Sequence, residues 1–309
     1  MISTPRIFLG LGECMVELAP TSDGTLRQGF AGDVFNTLWY SAQALGAGWQ
    51  VRFQTALGID SLSEEMIAFA QKSGIDCSTV PRLPGTMPGL YMIRLTDGER
   101  SFLYWRGQSA ARRMMDDADL VATEMTRAAV IYLSGITLAI LPPEARAALV
   151  ALMAQARDIG ALVVFDPNIR PALWDSADTM RIVLSQAAAA ASLVLPSHDD
   201  EASAFGDASP EQTASRYHDA GTPIVVVKNG PAPVLTQSEQ GVSSYDTPPL
   251  AGPLIDSTAA GDSFNAGFLA EFLRSSDIGM AVRAGQRLAA SVVQGRGALV
   301  ALRHRKATA

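Results

Sequence analysis

The feature that most constrains the fold of this chain is an alternation of short apolar runs with longer amphipathic segments. Runs rich in β-branched residues recur at residues 7–11, 51–57, 130–134, 162–165, 193–195 and 224–227. Apolar runs without a polar face are typical of strands that helices cover on both sides. The alternation therefore predicts an α/β fold, with a doubly wound, mostly parallel sheet flanked by helices.

The segments between these runs carry the usual signals of helix ends. Ser61-Leu62-Ser63-Glu64 has the pattern of a capping box, and Pro142-Pro143 and Ser209-Pro210 place proline in the first turn of two further helices. The three helices are expected to end at glycines, namely Gly74, Gly160 and Gly221. A chain of 309 residues suits one large α/β domain or two ordinary ones.

Two segments break the alternation and predict a small β lid. Residues about 12–32 and about 85–106 have the pattern of β-hairpins, and Asp97-Gly98 is a strong signal for the turn of the second. Ligands of doubly wound sheets bind at the carboxyl ends of the strands. A small antiparallel sheet inserted here is expected to cover that edge.

The charge balance excludes one class of partner. Asp and Glu number 31 against 24 Lys and Arg, which gives a net charge of −7, and no basic run is present. Because phosphate contacts dominate affinity for nucleic acids, no nucleic acid is expected as a partner. The same acidity should repel small anions at long range, unless arginines are concentrated locally.

The cysteines and the apolar runs bear on the compartment. Cys14 and Cys77 lie in apolar stretches and are expected to be buried free thiols in a reducing cytoplasm. The first apolar run is too short for the apolar region of a signal peptide. No stretch gives about 18 uninterrupted apolar residues, so the expectation is a cytoplasmic protein without a membrane partner.

Several common catalytic motifs are absent from the sequence. It contains no G-x-x-x-x-G-K-[ST] loop and no G-x-S-x-G elbow, and Gly10-Leu11-Gly12 lacks the third glycine of a dinucleotide fingerprint. The histidines have no Cys or His partner at metal-ligand spacing. These absences argue against a serine hydrolase, a nicotinamide dehydrogenase and a histidine-based metal centre.

The strongest sign of chemistry is the stretch from Asp256 to Phe268. The small residues Ser257-Thr258-Ala259-Ala260 lead into Gly261-Asp262 at the start of a predicted helix. Small side chains at a helix N-terminus leave backbone N–H groups open to an anion, and the helix dipole adds to the attraction. An aspartate there accepts a proton from a hydroxyl that attacks a phosphoryl group; alternatively, it is the N-cap of a core helix.

Two arginines suggest an anionic ligand. Arg106 follows Tyr104 at strand spacing, so both side chains should lie on one face of the lid. Arg170 lies in the loop after a buried strand, at the ligand-binding edge of the sheet. Two converging guanidinium groups suit a carboxylate or a phosphate. The alternatives are a solvated lid residue for Arg106 and an ion pair of Arg170 with Asp166 or Asp175.

The stretch Ser257–Asp262 resembles the signature of the ribokinase-like (PfkB) carbohydrate kinases, and the resemblance covers essentially the whole chain. Ala31-Gly32-Asp33-Val34-Phe35-Asn36 is similar to the family's sugar-binding motif, with Ala31 in place of a glycine. Within the family, residues 104–112 and 165–174 resemble members that phosphorylate 2-keto-3-deoxygluconate. The resemblance implies one ribokinase-like domain over residues 1–309. It also implies ATP-dependent transfer to that sugar acid, giving the 6-phosphate.

The resemblance extends to the nucleotide. Residues 224–230 are similar to the family's strand and loop near the ATP phosphates and ribose, although the alternative for Lys228 is a solvated strand end. Residues 195–201 resemble the Asn-x-x-Glu region that orders the Mg²⁺ water shell. Ser197 replaces the asparagine, and the register leaves Asp200 and Glu201 both open. Some relatives bind a monovalent cation such as K⁺ at the positions of Asp256 and Thr258.

The resemblance implies a role for each matching residue. Asp262 is the general base, and backbone N–H groups of Ala259, Ala260 and Gly261 stabilise the transferring phosphoryl group with Mg²⁺. The residues implied to bind the sugar acid are Gly32, Asp33, Asn36, Tyr91, Tyr104, Arg106, Arg170 and Asp262. The residues implied to bind ATP are Asn168, Arg170, Ser197, Lys228, Gly230, Ala259, Ala260 and Gly261.

Other functions stay open at this point. The nearest is a ribokinase-like kinase of a neutral sugar such as fructose, or of a nucleoside. A non-catalytic sugar-acid-binding protein is the alternative of another class, although it should have lost Asp262. The gluconate and galactonate epimers differ by one hydroxyl that only pocket geometry reads. An apolar lid with Trp39 and Trp105 nearby predicts a homodimer or a higher homo-oligomer.

Overall fold

Nine strands form the central sheet of the computed structural model, which describes residues 5–96 and 99–302. The strands in chain order are β1 (Arg6–Leu11), β2 (Met15–Pro20), β3 (Leu26–Ala31), β4 (Trp49–Gln54), β5 (Ile75–Asp76), β6 (Gly89–Thr96), β7 (Glu99–Trp105), β8 (Val130–Ser134), β9 (Leu162–Asp166), β10 (Leu193–Val194), β11 (Ile224–Val227), β12 (Val234–Ser238) and β13 (Gly241–Tyr245). The central sheet has the order β13-β12-β11-β10-β9-β8-β1-β4-β5.

The central sheet is mostly parallel, as predicted. Strand β1 pairs in parallel with β8 on one side and β4 on the other, and the parallel pairing continues through β9 and β10 to β11. Only the β11-β12-β13 end of the sheet is antiparallel. The strand predicted at residues 51–57 is β4, which begins two residues earlier and ends three residues earlier. Leu57 is outside the strand because it forms an isolated bridge with Arg82.

Helices cover both faces of this sheet. They are α1 (Asp33–Ala44), α2 (Ser61–Lys72), α3 (Ala118–Arg127), α4 (Gly135–Ile140), α5 (Pro143–Asp158), α6 (Ala177–Ala190), α7 (His198–Phe205), α8 (Pro210–Asp219), α9 (Ala260–Ser275) and α10 (Ile278–Val292). Phe8 and Leu9, neighbours on β1, are both fully buried and belong to separate apolar clusters. Strands buried on both faces explain why the apolar runs show no alternation.

The predicted helix ends are right at the prolines and glycines and wrong at one cap. The N-cap of α2 is Asp60, whose Oδ1 accepts the Ser63 N–H at 3.1 Å, rather than Ser61. Asp60 Oδ2 also accepts the Ser63 hydroxyl at 2.7 Å, so this carboxylate takes both donors of the serine. The three predicted stop glycines all have positive φ, the conformation that ends a helix most easily at glycine: Gly74, Gly160 and Gly221.

The lid is a separate four-stranded sheet in the order β3-β2-β6-β7. Both predicted hairpins are present, because β2 pairs with β3 and β6 with β7 in antiparallel fashion. The hairpins meet through one parallel pair, β2 with β6. The predicted turn at Asp97-Gly98 lies outside the described residues.

Both cysteine thiols are buried, as their apolar surroundings in the sequence predicted. Cys14 and Cys77 are buried and free, and burial raises the pKa of the Cys77 thiol to about 12, so little reactive thiolate forms. Within residues 5–96 and 99–302, none of the helices has the length and apolar character needed to cross a membrane.

Candidate active site

The candidate site lies where β3 passes into α1, beside the loop after β1. Gly32 is the N-cap residue of α1, and a Cβ at this position would lie 2.2 Å from the Glu13 carbonyl oxygen. Only glycine therefore allows the lid strand to reach the core so closely. The Gly32 N–H donates to Asn36 Oδ1 at 3.3 Å, which holds the amide of Asn36 at the mouth of the site.

Asp262 lies in the first turn of α9 and faces α1. Asn36 Nδ2 donates to Asp262 Oδ2 at 2.8 Å, so the two motifs found in the sequence meet here. Burial raises the pKa of Asp262 to about 8, and the nearby charge of Asp33 adds to the rise. The N-cap of α9 is Ala259, and thus the alternative role of Asp262 as a helix cap was wrong. A carboxylate with this pKa is suited to accept a proton near neutral pH.

The residues before Asp262 form a tight turn into the helix. Ala259 has a left-handed φ of 59°, and Ala260 begins the helix. The Ala260 N–H donates to Ser257 O at 3.1 Å, and its role as a phosphoryl donor stays a prediction. A Cβ on Gly261 would lie 3.5 Å from Lys228 Nζ, so this glycine brings the helix N-terminus next to an ammonium group.

Lys228 follows β11 and is held inside the site. Its Nζ lies 2.8 Å from Asp166 Oδ2 and 3.2 Å from Asn265 Oδ1, and its side chain is only 12% exposed. The alternative of a solvated lysine at a strand end was wrong. Gly230, two residues later, has a positive φ of 54° in the turn that leads towards β12.

Asn168 connects the loop after β9 to the sugar-binding motif. Its Nδ2 donates to Asp33 Oδ2 at 2.9 Å, and its backbone N–H donates to Asp166 Oδ1 at 3.1 Å. Its φ of 34° is unusual for a residue other than glycine. The structure therefore brings predicted sugar and ATP residues into one hydrogen-bonded group.

Arg170 is half-exposed and pairs with α7. Its Nη1 lies 3.3 Å from Asp200 Oδ2, so the predicted alternatives, Asp166 and Asp175, were both wrong as its ion-pair partner. Asp166 instead binds Lys228. Arg170 and Arg106 are thus held by different acids, and their convergence on one carboxylate stays a prediction.

The two acids of the ambiguous register in α7 differ in burial. Glu201 is fully buried, and its carboxylate accepts Arg216 Nη2 at 2.6 Å and the Tyr217 hydroxyl at 2.9 Å. Asp200 is on the side of the site, next to Arg170. Ser197 lies there too, since it forms a parallel bridge with Lys228. Of the two acids, only Asp200 faces the region expected to hold the phosphates.

Arg106 is anchored beneath the lid by a residue that the sequence did not reveal. Its Nη2 donates to Glu13 Oε2, and the two side chains are only 11% and 1% exposed. The alternative of a solvated lid arginine was wrong. Burial raises the pKa of Glu13, and Arg106 opposes the rise. The position of Glu13, just after the first predicted strand, was the signal that could have identified it.

The lid tyrosines have different environments. The rings of Tyr91 and Tyr104 are 5.9 Å apart, and the Arg106 guanidinium lies 6.0 Å from the Tyr104 ring, which confirms that Tyr104 and Arg106 share a face. Tyr104 is exposed, whereas Tyr91 is buried and donates its hydroxyl to Glu17. The Tyr91 hydroxyl is therefore already hydrogen-bonded, and a contact of its ring with the sugar acid stays a prediction.

Asp256 and Thr258 lie together at the turn before α9. Asp256 Oδ1 accepts the Thr258 N–H at 3.1 Å and the Thr258 hydroxyl at 2.7 Å. Asp256 Oδ2 accepts the Gly297 N–H at 2.7 Å, which ties this turn to the segment after α10. Among the residues that the structure describes, no three His, Cys, Asp or Glu side chains gather as a metal-ion site.

Comparisons with known proteins agree with this geometry. Residues 9–305 match the pfkB family carbohydrate kinases. The chain is 39% identical over 300 residues to a 2-dehydro-3-deoxygluconokinase of Dickeya dadantii, with 94% of this chain and 96% of that protein covered. It is 38% identical over 296 residues to the protein of the same name from Haemophilus influenzae, with 94% of each covered.

A solved structure extends the likeness to the fold. The crystal structure of a PfkB protein from Polaromonas superposes with a TM-score of 0.82 at 28% identity, over 94% of this chain and 97% of the other. The match spans both the central sheet and the lid, and the signature stretch supplies the residues at the centre of the site. The chain therefore belongs to the pfkB family of carbohydrate kinases.

Proposed function

We propose that this protein transfers the γ-phosphoryl group of ATP to the terminal hydroxyl of 2-keto-3-deoxygluconate, also called 2-dehydro-3-deoxygluconate. The observation that carries the proposal is Asp262, a carboxyl with a pKa of about 8 beside a helix N-terminus and Lys228. Two relatives that share 38% and 39% of their aligned residues carry the corresponding name. The products are the 6-phosphate and ADP.

Asp262 is the general base of this reaction. The substrate hydroxyl gives its proton to Asp262, its oxygen forms a bond to the γ-phosphorus, and the bond from that phosphorus to the β,γ-bridging oxygen breaks. The backbone N–H groups of Ala259, Ala260 and Gly261 and the Lys228 ammonium stabilise the charge on the transferring group. The lid excludes water, which would otherwise compete as the acceptor.

The proposal assigns the two ligands to neighbouring parts of one domain. The sugar acid is bound by Gly32, Asp33, Asn36, Tyr91, Tyr104, Arg106 and Arg170. ATP is bound by Asn168, Arg170, Ser197, Lys228, Gly230, Ala259, Ala260 and Gly261. Arg106 and Arg170 bind the carboxylate, which a neutral sugar lacks. The ion pairs of both arginines support this role, since they hold the guanidinium groups in defined places.

The proposal includes Mg²⁺, with Asp200 and Ser197 ordering its water shell. Mg²⁺ is commonly bound by one or two carboxylates together with substrate phosphates, so one carboxylate beside the ATP phosphates suffices for this role. When bound, the ion neutralises charge on the phosphates. We further propose a monovalent cation such as K⁺ at Asp256 and Thr258, which a titration of activity with KCl tests.

Competition between an acid sugar and a neutral sugar tests the proposal. A charge-assisted hydrogen bond contributes about 1.5–3 kcal/mol, so ADP release should favour 2-keto-3-deoxygluconate over fructose by roughly 10- to 150-fold in kcat/KM. Preference for fructose or a nucleoside would refute the role of the two arginines. Binding of the sugar acid without ADP release would indicate a non-catalytic binding protein. The galactonate epimer belongs in the same assay.

The proposal extends to a homodimer formed through the lids. Leu103 and Trp105 are exposed on β7. Trp39 is half-buried on α1, and its ring centroid lies 4.9 Å from that of Tyr40. Trp39 therefore adds nothing to the exposed lid surface. The cytoplasmic location stays a prediction from the two free cysteines.

A further inference from the structure

A buried asparagine in α9 lies beneath the candidate site. Asn265 is fully buried and follows Asp262 by three residues, on the same side of the helix. Its Nδ2 donates to Asp166 Oδ2 at 2.6 Å and to the Tyr132 hydroxyl at 3.0 Å. Its Oδ1 accepts Lys228 Nζ at 3.2 Å. One amide thus joins α9 to the ends of β9 and β11 and to the middle of β8.

The orientation of this amide follows from its partners. Asp166 Oδ2 already accepts from Lys228 and needs a donor from Asn265, so it selects the NH₂ end of the amide, and the oxygen then faces Lys228. Asp166 Oδ2 itself binds Lys228 at 2.8 Å, so the ammonium has two fixed acceptors. A lysine side chain otherwise has a flexible four-carbon stem. The two acceptors place its charge beside Gly261, where a Cβ would be 3.5 Å away.

We infer that Asn265 is a positioning residue for phosphoryl transfer: together with Asp166 it holds the Lys228 ammonium at the N-terminus of α9. This inference rests on the proposed function, because it places the transferring phosphoryl group at that end of the helix. Asn265 itself touches neither substrate. Asn265 should therefore affect turnover only by positioning Lys228. An asparagine that only packs the core would not show this dependence on Lys228.

A double-mutant cycle tests this dependence. Lys228→Met removes the ammonium and should lower kcat by about 10²-fold, as the loss of one preorganised donor does. Asn265→Ala should lower kcat by roughly 10-fold and leave the KM for the sugar acid within about twofold, because the charge is misplaced rather than lost. The double variant should be no slower than Lys228→Met alone, within about threefold.

Additive losses in the double variant, or normal turnover of Asn265→Ala, would overturn the inference. Thr222→Val is the matched control, because the Thr222 hydroxyl is also fully buried and donates to Ala188 O at 2.8 Å, near the opposite end of β11. It should lose stability but keep kcat. Asn265→Ser, which keeps a hydroxyl, takes the place of the alanine variant if the latter yields no folded protein.

The same cycle measured on affinity does not require turnover. Calorimetric titration with a non-hydrolysable ATP analogue should show weaker binding in Lys228→Met, with no further weakening when Asn265→Ala is added. Independent losses of affinity would refute the role of Asn265. If the wild type released no ADP with any sugar, the proposed function would fail, while this titration would still decide whether Asn265 acts through Lys228.

Discussion

The proposed proton acceptor, Asp262, has neighbours with opposite effects on its pKa. Burial and the charge of Asp33 raise the pKa of Asp262, whereas the hydrogen bond from Asn36 lowers it. Lys228 also lowers it, and Asp166 raises it. A base of raised pKa takes the proton of a sugar hydroxyl more strongly than an ordinary aspartate, which suits proton transfer near neutral pH.

Replacing the proposed base should abolish most of the turnover. Asp262→Asn keeps the shape of the side chain but removes the proton acceptor, so kcat should fall by about 10²–10⁴. Steady-state ADP release measures the change. Asp199→Asn is the matched control, because Asp199 is an exposed acid on α7, and its kcat should match that of the wild type. Near-normal turnover of Asp262→Asn would show that another group is the base.

The pH dependence of activity should follow the ionisation of the Asp262 carboxyl. Since the base acts only when deprotonated, kcat/KM should rise with pH and level off above about 8. Asp33→Asn removes a negative charge that raises the pKa of Asp262, so the rising limb should move to lower pH. A limb that stays in place in this variant would contradict the coupling between the two carboxyls.

The raised pKa of Asp262 also makes the stability of the fold depend on pH. The pKa of Asp262 is about 8 in the folded protein against an ordinary value of 3.8, so the folded state holds the proton more tightly. The contribution of this group is therefore most favourable at low pH and is lost as pH rises towards about 8. Asp262→Asn should make the unfolding free energy less dependent on pH over that interval.

At the scale of elements, α7 and α8 are joined by a buried ionic cluster. Arg216 of α8 binds Glu201 of α7 at 2.6 Å and Asp207 in the connecting loop at 2.6 Å. The Arg216 guanidinium also lies 3.8 Å from the Phe205 ring. This cluster turns Glu201 inward and so leaves Asp200 on the opposite side, towards the site. A local acidic run therefore acquires two different roles from one tertiary contact.

Breaking this cluster should destabilise the fold strongly. Arg216→Met leaves two buried carboxylates without their cation, which typically costs about 3–5 kcal/mol. Urea unfolding of the variant and the wild type measures the loss. Arg274→Met is the matched control, because the ion pair of Arg274 with Glu271 lies on the surface of α9, and its removal should change the midpoint little. Equal midpoints for all three proteins would contradict the importance of the cluster.

At the scale of the whole molecule, the lid presents exposed apolar and aromatic side chains along β7. Tyr91 and Ile93 are buried on the inner face, opposite Tyr104 and Phe102 of β7. Leu103 and Trp105 lie on the other face of β7, and the side chains of both faces are exposed, from 39% for Phe102 to 56% for Trp105. Adjacent large apolar side chains in solvent are typical of an interface, which is why the proposed dimer is formed through the lids.

Disrupting the outer lid face should separate the protomers. The wild type is expected to sediment as a dimer, and the double variant Leu103→Ser/Trp105→Ser as a monomer, because the apolar contact area is lost. Ile159→Ser is the matched control, since Ile159 is similarly exposed but lies at the end of α5, and its mass should not change. A monomeric wild type, or a dimer in the lid variant, would contradict the proposed interface.

The sequence alone determined the features that depend on contiguous residues. The alternation of apolar runs and helical segments predicted the parallel sheet, and the stop glycines predicted where helices end. The stretch around Asp262 identified the centre of the site, since a helix N-terminus, its small residues and its acid are encoded within a few positions. Hydrophobic periodicity and end signals act locally, so they are readable without a structure.

Only the tertiary structure decided which distant groups meet. Glu13 binds Arg106 from 93 residues away, and Lys228 finds Asp166 at a separation of 62 residues. Asn265, which joins Lys228 to Tyr132 and Asp166, had no signal of its own in the sequence. These partners depend on which strand ends lie side by side, and that order is set by packing of the whole core. Local patterns locate the site, whereas long-range packing selects the charges that surround it.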